Sequence, residues 1–542
     1  MSVLNRILWI LIVSLILLPI LSHAQEPLEY IENLPNLHYE GSDTYQDGKI
    51  IILFTQRNNE IKFINTKLYL RIVFVNRTVL PIEINYNSFS FDFIPECDVN
   101  SFDCNILFTP KALIDGYVLI ESRLGSSPYR EIIVSWNGIM HKKFNLRDNY
   151  QVITSLDSQK EFLITEIKNA TTLGCRRFTV LNSNNSNSTI NEEIETFSIS
   201  KNITMYQHSS FSLTEGGFAT IIFSVTKSND LIKLTEIHIR FFKSNNDLAL
   251  SKQYLLYSSI SGKFLTIIGG CQNTFDGSGY TFFFSDNDGT NLSLNDYFQI
   301  HFLSSGAVTL IDNKAFDGYN PDIINYYTAE IVPLFYGGYI GYDRFKLENS
   351  SIIIFDDNIN VKGILNRTFN LDVNGLKAHI IQKQSLIWFI DYNNNNYNWM
   401  INFYNLNSID IADSRYIYQN LNIQGTFPNI NENIQIPSLT SSNSLDFIIN
   451  YNKPILLSNG NLTIYQYLNE SIISRQSVSG ISELCKLVND TAVYIKIFFS
   501  TLHQINVKYG IRIDNDFVKT SLNEEPLFGI SEGIWNFKTC KF

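Results

Sequence analysis

The chain has 542 residues, of which 44% are hydrophobic and 17% are charged, and its formal net charge is −11 at pH 7. This length is too great for one small core, so we expect two domains or one large repeat array, and the apolar content excludes a disordered chain. The acidic balance excludes nucleic acid as an expected partner, because binding to phosphates depends on Lys and Arg.

The N-terminal residues have the pattern of a secretory signal peptide. A basic residue precedes an apolar run from Ile7 to Leu21, and Ser22 and Ala24 are the small residues that signal peptidase accepts. We predict cleavage after Ala24, which makes residues 1–24 a signal peptide and the mature chain secreted and extracellular. The alternative is an uncleaved signal anchor, because about 15 apolar residues are at the short edge of a membrane span. No later apolar run has spanning length, so we expect no membrane span in the mature chain.

A glycine-containing turn followed by an aromatic or apolar strand recurs through residues 25–425, as in GGFATIIFS at 216–224. Each instance precedes further strand-like runs arranged as a hairpin, and Asn137 with Gly138 gives the strongest hairpin signal. The aligned anchor residues of the seven instances are Ile50, Tyr117, Phe162, Phe218, Tyr280, Tyr339 and Trp388. Seven repeats of three or four strands predict an all-β fold with a seven-bladed β-propeller. A string of sandwiches and a β-helix are the alternatives, because any β-rich chain alternates turns and strands.

Residues 426–542 differ from the repeats and follow a passage rich in Pro, Ser and Asn. They contain alternating strands, including a pair joined by Asn459 and Gly460. The segment resembles the SbsA-type Ig-like domain first recognised in bacterial surface-layer proteins, through Asn450, Pro454, Ile455, Ile495, Ile497, Tyr509, Ile513, Gly533, Trp535, Phe537 and Thr539. The resemblance implies an Ig-like β-sandwich used as a spacer, adhesion or attachment module, with Trp535 in or near its core. The Asp-Gly-rich loop usual in that family is replaced here by SLNEEPLFGISE, so the resemblance implies no metal or ligand at that loop.

The whole chain also resembles large families of secreted fungal proteins that pair such a module with a propeller-like region. That resemblance implies the two domains and an extracellular location. It implies no activity.

Six cysteines are an even number, which in a secreted chain indicates disulfides. We expect Cys97 to pair with Cys104 across a short loop, and, by location alone, Cys175 with Cys271 and Cys485 with Cys540. The N-x-S/T sequons are candidate glycosylation sites, and they begin at Asn76, Asn169, Asn184, Asn187, Asn202, Asn291, Asn349, Asn366, Asn461, Asn469 and Asn489.

The sequence has none of the usual nucleophile, phosphate-binding, dinucleotide or zinc-protease motifs, and we expect no cofactor and no metal. His141, His238 and His301 occur singly in strand-like runs, where a structural role is expected. The stretch SDNDGTN at 285–291 resembles a degenerate Asp-box and an incomplete calcium loop, and we interpret it as a hairpin turn.

In five repeats the strand that starts at the anchor ends in a carboxylate. The residues are Glu121, Glu166, Asp286, Asp343 and Asp391. Equivalent strand ends lie on one face of a propeller, so these acids predict a ring at the channel mouth, suited to a cation or to a basic or polyhydroxylated ligand. The alternative is that acids mark the points where buried strands meet water.

We therefore expect a secreted or cell-surface-associated, non-catalytic binding or adhesion protein, whose partner is a glycan or a cell-surface protein. The alternative is a secreted carbohydrate-active enzyme that uses paired carboxylates on the propeller face. Two carboxylates that converge in a pocket on the propeller axis, one with a raised pKa, would indicate the enzyme.

Overall fold

The computed structural model describes most of the chain from residue 28 onward. The described residues are 28–32, 34, 37–56, 67–85, 106–114, 116–124, 129–146, 150–156, 161–181, 189–198, 203–228, 232–243, 251–259, 264–274, 277–287, 296–314, 329–333, 338–343, 351–355, 361–366, 379–381, 386–393, 398–405, 417–435, 444–468 and 471–540. This part of the chain contains no α-helix, and none of its helical turns is long and apolar enough to cross a membrane. The predicted signal peptide and the predicted Cys97–Cys104 pair lie outside these residues.

Seven four-stranded antiparallel sheets follow one another along residues 28–405. Six of them use four consecutive strands: blade 1 has β2 (Leu37–Thr44), β3 (Ile50–Gln56), β4 (Lys67–Val73) and β5 (Val79–Glu83); blade 2 has β6 (Ile106–Ala112), β7 (Tyr117–Leu124), β8 (Tyr129–Ser135) and β9 (Met140–Leu146); blade 3 has β10 (Tyr150–Thr154), β11 (Glu161–Asn169), β12 (Thr172–Leu181) and β13 (Thr189–Ser198); blade 4 has β14 (Ile203–Ser212), β15 (Gly217–Ser228), β16 (Ile232–Lys243) and β17 (Lys252–Ser259); blade 5 has β18 (Phe264–Asn273), β19 (Tyr280–Asn287), β20 (Asp296–Phe302) and β21 (Val308–Lys314); blade 6 has β22 (Ala329–Pro333), β23 (Tyr339–Asp343), β24 (Ser351–Phe355) and β25 (Val361–Asn366).

Blade 7 joins the two ends of this region. Its strands β26 (His379–Ile381), β27 (Leu386–Asn393) and β28 (Asn398–Asn405) are completed by β1 (Leu28–Ile31), which pairs antiparallel with β28. First strands of neighbouring blades contact one another, including β2 with β6, β14 with β18 and β18 with β22. The first strand is therefore the innermost of each blade, and the fold is the seven-bladed β-propeller that the repeats predicted.

The repeat pattern corresponds to the second strand of each blade. The predicted anchors lie at or near the starts of β3, β7, β11, β15, β19, β23 and β27. Glycines with positive φ occupy the preceding turn in five blades, at Gly48, Gly116, Gly216, Gly277 and Gly338, where a residue without Cβ is favoured. The pattern identified these blades because a glycine with positive φ and the buried start of the second strand occur together in each of them.

Alternate residues of a second strand pack into opposite seams between blades. In β7, Val118 and Ile120 pack toward blade 1, whereas Tyr117 and Leu119 pack toward blade 3. This follows from the two-residue period of a strand that is buried on both faces. The core of the propeller is therefore a series of seams that neighbouring blades share, and β7 is buried on both faces.

Ring closure includes a buried ion pair next to β1. The two carboxylate oxygens of Glu32 accept hydrogen bonds from the Arg71 guanidinium of blade 1, at 2.8 and 2.7 Å. The indole nitrogen of Trp399 in β28 donates to the same carboxylate at 3.0 Å. Glu32 thus links the N-terminal segment, blade 1 and blade 7 through one carboxylate.

The propeller has two distinguishable ends because its strands alternate in direction. We call the end that carries the turns after the first and third strands of each blade the lower end. We call the end that carries the turn after the second strand the upper end.

The C-terminal residues form a two-sheet β-sandwich. One sheet has the order β29 (Ile423–Phe427), β31 (Ser444–Tyr451), β36 (Ala492–Phe498), β35 (Cys485–Asn489); the other has β30 (Asn433–Gln435), β39 (Ile530–Cys540), β37 (Lys508–Ile513), β33 (Asn461–Leu468), β34 (Ser471–Ser479); β32 (Ile455–Leu457) pairs with β38 (Val518–Thr520), and a 3₁₀ helix covers Phe499–Leu502. The shared core includes Tyr418 and Ile423, which precede the predicted start at residue 426. Trp535 is 0% exposed and its indole nitrogen donates to the Pro428 carbonyl at 2.9 Å, so its predicted core position is confirmed.

The sandwich contacts the lower end of blade 5. The carboxylate of Glu525 accepts hydrogen bonds from the backbone N–H and the hydroxyl of Ser304, each at 3.1 Å. A Cβ on Gly277 would lie 2.9 Å from the Phe528 backbone nitrogen. The backbone of the sandwich therefore comes close to the propeller at this glycine turn. Burial raises the pKa of Glu525, and the nearby Glu215 carboxylate raises it further, although the Ser304 hydrogen bonds oppose this. The segment SLNEEPLFGISE therefore supplies the contacts of Glu525 and Phe528 with the lower end of blade 5.

Two predicted disulfides are wrong. Cys175 lies in the seam between blades 3 and 4, whereas Cys271 lies in the seam between blades 4 and 5, so the two sulfurs are not neighbours. Cys485 and Cys540 are both free thiols, and the Cys540 thiol donates to the Ile434 carbonyl at 3.3 Å. Location along the chain carried no information about which seam each side chain faces.

Candidate functional site

Glu121 and Glu166, two of the five predicted ring residues, meet between blades 2 and 3. Glu121 lies on the face of β7 that packs toward blade 3, as Leu119 does, and Glu166 lies on the face of β11 that packs toward blade 2, as Ile164 does. Glu131 in β8 is the direct cross-strand partner of Glu121. Three carboxylates from two blades therefore share one seam.

Basic side chains of the same seam balance these carboxylates. We call the set the seam cluster, and it consists of Glu121, Glu131, Glu166, Glu192, Lys111, Lys142 and Arg176. Lys111 forms an ion pair with Glu121 and lies 4.3 Å from the centre of the Tyr150 ring. Arg176 bridges the Glu166 carboxylate at 3.7 Å and the Glu192 carboxylate at 3.6 Å, and Lys142 also contacts Glu192. The seam cluster thus contains four acids and three bases.

Glu131 has the most unusual environment in the seam cluster. It is 0% exposed, and one of its oxygens accepts the Leu146 backbone N–H at 3.0 Å. Its other oxygen, Oε1, has no hydrogen-bond partner among the described residues. Burial raises the pKa of Glu131 to about 8, with further upward contributions from Glu121 and Glu166 and opposing ones from the Leu146 N–H and Lys111. At neutral pH the carboxyl group is therefore largely protonated, which reduces the repulsion between Glu131 and Glu121.

Two carboxylates with different protonation states have the chemistry of a general acid and base pair, but their position does not suit a substrate. Glu121 is 7% exposed and Glu166 is 5% exposed. Both lie on second strands, whereas the innermost strands β6 and β10 lie between them and the axis. The arrangement can hold a proton within the seam and offers no open approach to a sugar.

The predicted acidic ring is wrong for the two members whose side chains the structure describes. Glu121 and Glu166 are on equivalent strands, as expected, but they face each other in a seam and do not line the channel mouth. The physical reason is that the anchors Tyr117 and Phe162 pack in the seam between blades 2 and 3, so residues on the anchor side of the same strands do the same. Asp286, Asp343 and Asp391 occupy the corresponding strands β19, β23 and β27, and the directions of their side chains lie outside what is described.

The three histidines singled out in the sequence lie in three different blades, His141 in β9, His238 in β16 and His301 in β20. His141 Nε2 is 2.9 Å from the Ser135 hydroxyl, and burial lowers its pKa. His238 Nε2 is 3.2 Å from a carboxylate oxygen of Glu236, and His301 is half-buried in β20. Within the described ranges, no group of three or more His, Cys, Asp or Glu is arranged to hold a metal ion.

A second polar seam, between blades 3 and 4, was not predicted. His208 Nε2 is 3.1 Å from the Thr165 hydroxyl, which is 2.7 Å from the Ser210 hydroxyl, and that hydroxyl is 2.9 Å from Thr220. Burial lowers the pKa of His208 to about 4, so the ring is neutral at physiological pH. Gln151 completes the network by accepting the Ser210 backbone N–H at 2.6 Å. Polar residues interrupting the apolar strands were the available signal for both seams, as in REIIVSW for Glu131.

Comparison with known proteins gives only distant structural similarity. No protein-family model and no curated protein matches the chain. Among solved structures, a fungal alcohol oxidase of the AA5 family in complex with copper has a TM-score of 0.38 and 10% identity, over 94% of this chain and 99% of that one. Prolyl oligopeptidase B from Galerina marginata has a TM-score of 0.39 and 10% identity, over 77% of this chain and 55% of that one. The α-L-arabinanase of Penicillium chrysogenum, complexed with arabinobiose, has a TM-score of 0.35 and 8% identity, over 57% of this chain and 95% of that one. Similarity at this level bears on neither the activity nor the ligand of this chain.

Proposed function

We propose that this protein is a secreted or cell-surface-associated, non-catalytic binding protein of the extracellular space, and a glycoprotein. The propeller would present the ligand-binding face. The sandwich would act as the spacer or attachment module that its resemblance to the SbsA-type Ig-like domain implies. The partner would be a neutral glycan or a cell-surface protein, in keeping with the net charge of −11.

The burial of the seam carboxylates is the observation that carries this proposal. Glycosidases need two carboxyl groups on either side of a bound sugar. The paired carboxyl groups that the described residues bring together, Glu121 and Glu131, are enclosed between blades and held by Lys111 and the Leu146 N–H. Their enclosure in the seam and their partners within blade 2 support a structural role more than a role in hydrolysis.

The position of the sandwich supports a binding face at the upper end. The contacts of Glu525 and Phe528 are with the lower end of blade 5. The turns after the second strands belong to the opposite end, which none of the described contacts of the sandwich reaches.

Incubation with a panel of fungal and plant wall glycans tests the proposal. We expect the purified full chain to be retained on at least one polymer while no sugar is released. The Glu131→Gln variant should be retained equally well, because the seam is not the binding face. Release of sugar by the wild type, abolished in Glu131→Gln, would overturn the proposal and establish the carbohydrate-active enzyme instead.

Secretion is tested separately. Protein recovered from the culture medium should begin at Gln25 on N-terminal sequencing. Recovery of a chain that begins at Met1 in a membrane fraction would contradict it.

A further inference from the structure

Three described sequons share one side-chain geometry. Asn76, Asn169 and Asn489 are exposed, and each lies in a hairpin turn. The Oδ1 of each accepts both the backbone N–H and the hydroxyl of the Thr two residues later. The N–H and hydroxyl distances are 3.1 and 2.7 Å for Asn76, 3.0 and 3.1 Å for Asn169, and 3.0 and 3.2 Å for Asn489.

Two of these turns are the same structure in different domains. Asn169 pairs with Thr172 across the β11–β12 turn, and Asn489 pairs with Ala492 across the β35–β36 turn. In both hairpins the register shifts just before the Asn, between Ile167 and Asn169 and between Leu487 and Asn489. The shift is a β-bulge, which re-aims the side chain that follows it.

This geometry leaves the amide nitrogen available. Because Oδ1 faces the turn and accepts two hydrogen bonds, Nδ2, which lies in the same plane on the other side of the Cβ–Cγ bond, points away from the turn, and it makes no hydrogen bond to the described residues. A bulky substituent on Nδ2 would extend into solvent.

Asn461 is the contrasting sequon. It is half-buried at the start of β33, and its Nδ2 donates to the Asp514 carboxylate at 3.3 Å. Thr463 of the same sequon is buried, and its hydroxyl is 3.1 Å from the Ser477 hydroxyl. A substituent on the Asn461 amide would break the contact with Asp514.

We propose that Asn76, Asn169 and Asn489 carry N-linked oligosaccharides and that Asn461 does not. The donor would be a polyprenyl-pyrophosphate-linked oligosaccharide. Nδ2 forms a bond to the anomeric carbon as the bond from that carbon to the pyrophosphate oxygen breaks, and Nδ2 loses one proton while the polyprenyl pyrophosphate leaves. The proposal rests on passage through the secretory pathway, which belongs to the proposed function.

The three positions are compatible with the fold. Asn76 follows a third strand, at the lower end of blade 1, and Asn169 follows a second strand, at the upper end of blade 3. Asn489 lies on the β35–β36 turn of the sandwich. The described contacts between sandwich and blade 5, through Ser304 and Gly277, involve none of them.

The experiment uses the full chain in a eukaryotic cell line that performs N-glycosylation, in two forms. One keeps residues 1–24, and the other replaces them with an established secretion signal, so that entry into the secretory pathway is assured. Secreted protein is digested with peptide N-glycosidase in ¹⁸O water, and occupancy at each Asn is measured by mass spectrometry. Matched variants are Thr78→Ser, which keeps the sequon, and Thr78→Ala, which removes it.

We expect Asn76, Asn169 and Asn489 to be occupied in the majority of secreted molecules and Asn461 to be unmodified. Thr78→Ser should retain the glycan at Asn76, and Thr78→Ala should lose it alone. Absence of glycan at the three sites in the form with the established signal, or glycan at Asn461 in soluble secreted protein, would overturn the proposal. If only the form with residues 1–24 fails to leave the cell, secretion by its own signal is refuted. The assignment of the glycosylation sites is then tested on the form with the established signal alone.

Discussion

Glu131 makes the blade 2–3 seam sensitive to pH. Its pKa is raised from 4.5 to about 8 by burial and by the charges of Glu121 and Glu166, while Lys111 and the Leu146 N–H oppose the shift. A carboxyl group whose pKa is raised by folding contributes stability below its unfolded pKa, and that contribution is lost as the pH rises through the folded value. The wild type should therefore lose unfolding free energy between pH 4.5 and about 8.

The Glu131→Gln variant should lack this loss, because an amide does not ionise. We expect its melting temperature, measured by differential scanning calorimetry, to rise relative to that of the wild type from about pH 4.5 to about pH 8 and the difference to stay constant above that. Glu29→Gln, at an exposed position of β1, is the control and should leave the pH profile unchanged. Parallel profiles for the wild type and Glu131→Gln would contradict the prediction.

Trp535 gives a second prediction at this scale. Removal of its buried ring should lower the unfolding free energy by about 3–5 kcal/mol in Trp535→Ala, because a cavity forms and the Pro428 carbonyl loses its donor. Leu522→Ala, at a site that is 88% exposed, should change it by less than about 0.5 kcal/mol. Chemical denaturation of the full chain, followed by near-ultraviolet circular dichroism, measures both, and a loss below about 1 kcal/mol for Trp535→Ala would be incompatible with the cavity cost.

The segment that contains β1 is held by one buried carboxylate, that of Glu32, which directly follows the strand. Glu32→Ala would leave the Arg71 guanidinium buried without its carboxylate and remove the acceptor of the Trp399 indole, so we expect a loss of about 3–5 kcal/mol in unfolding free energy. The double variant Glu32→Leu with Arg71→Met should lose less, because it removes the buried charge as well. Urea denaturation compares the two, and the opposite order would contradict this account.

The sequence predicted those strands whose position depends only on residues that are close together in the chain. The second strand of each blade needs a turn residue with positive φ and then a buried start, and Gly116 with Tyr117 satisfies both within two residues. The position of β1 was not readable, because its partner β28 lies at the far end of the propeller and four residues carry no periodicity of their own. Short-range patterns therefore predicted the blades and missed the closure.

The candidate site was predicted only in part for a related reason. An even offset from the anchor correctly placed Glu121 and Glu166 on the anchor side of their strands. It could not show that this side faces a neighbouring blade, nor that Glu131 of the next strand lies opposite Glu121. Those facts depend on pairing between strands, which the spacing within one strand does not contain.

At the scale of the whole molecule, a substitution at Gly277 tests whether the contact with Phe528 holds the sandwich against the propeller. A methyl group there would meet the Phe528 backbone, whereas one on Gly116, an equivalent turn glycine in blade 2, would meet no atom within 4 Å. Both positions have positive φ, so Gly277→Ala and Gly116→Ala carry the same kind of backbone strain. We expect only Gly277→Ala to increase the radius of gyration measured by small-angle X-ray scattering. Equal radii for the two variants would show that the contact at Phe528 does not hold the domains together.

The ring closure also sets an order on folding. Each of the first six blades pairs strands that are neighbours in the chain, whereas Glu32 and Trp399 are 367 residues apart. During synthesis β1 is made first, but it can pair only after β28 has been made. Until then the incomplete ring exposes an open strand edge, which is prone to wrong pairing. Because the entropy of closing a loop grows only with the logarithm of its length, the long separation delays the closure far more than it weakens it.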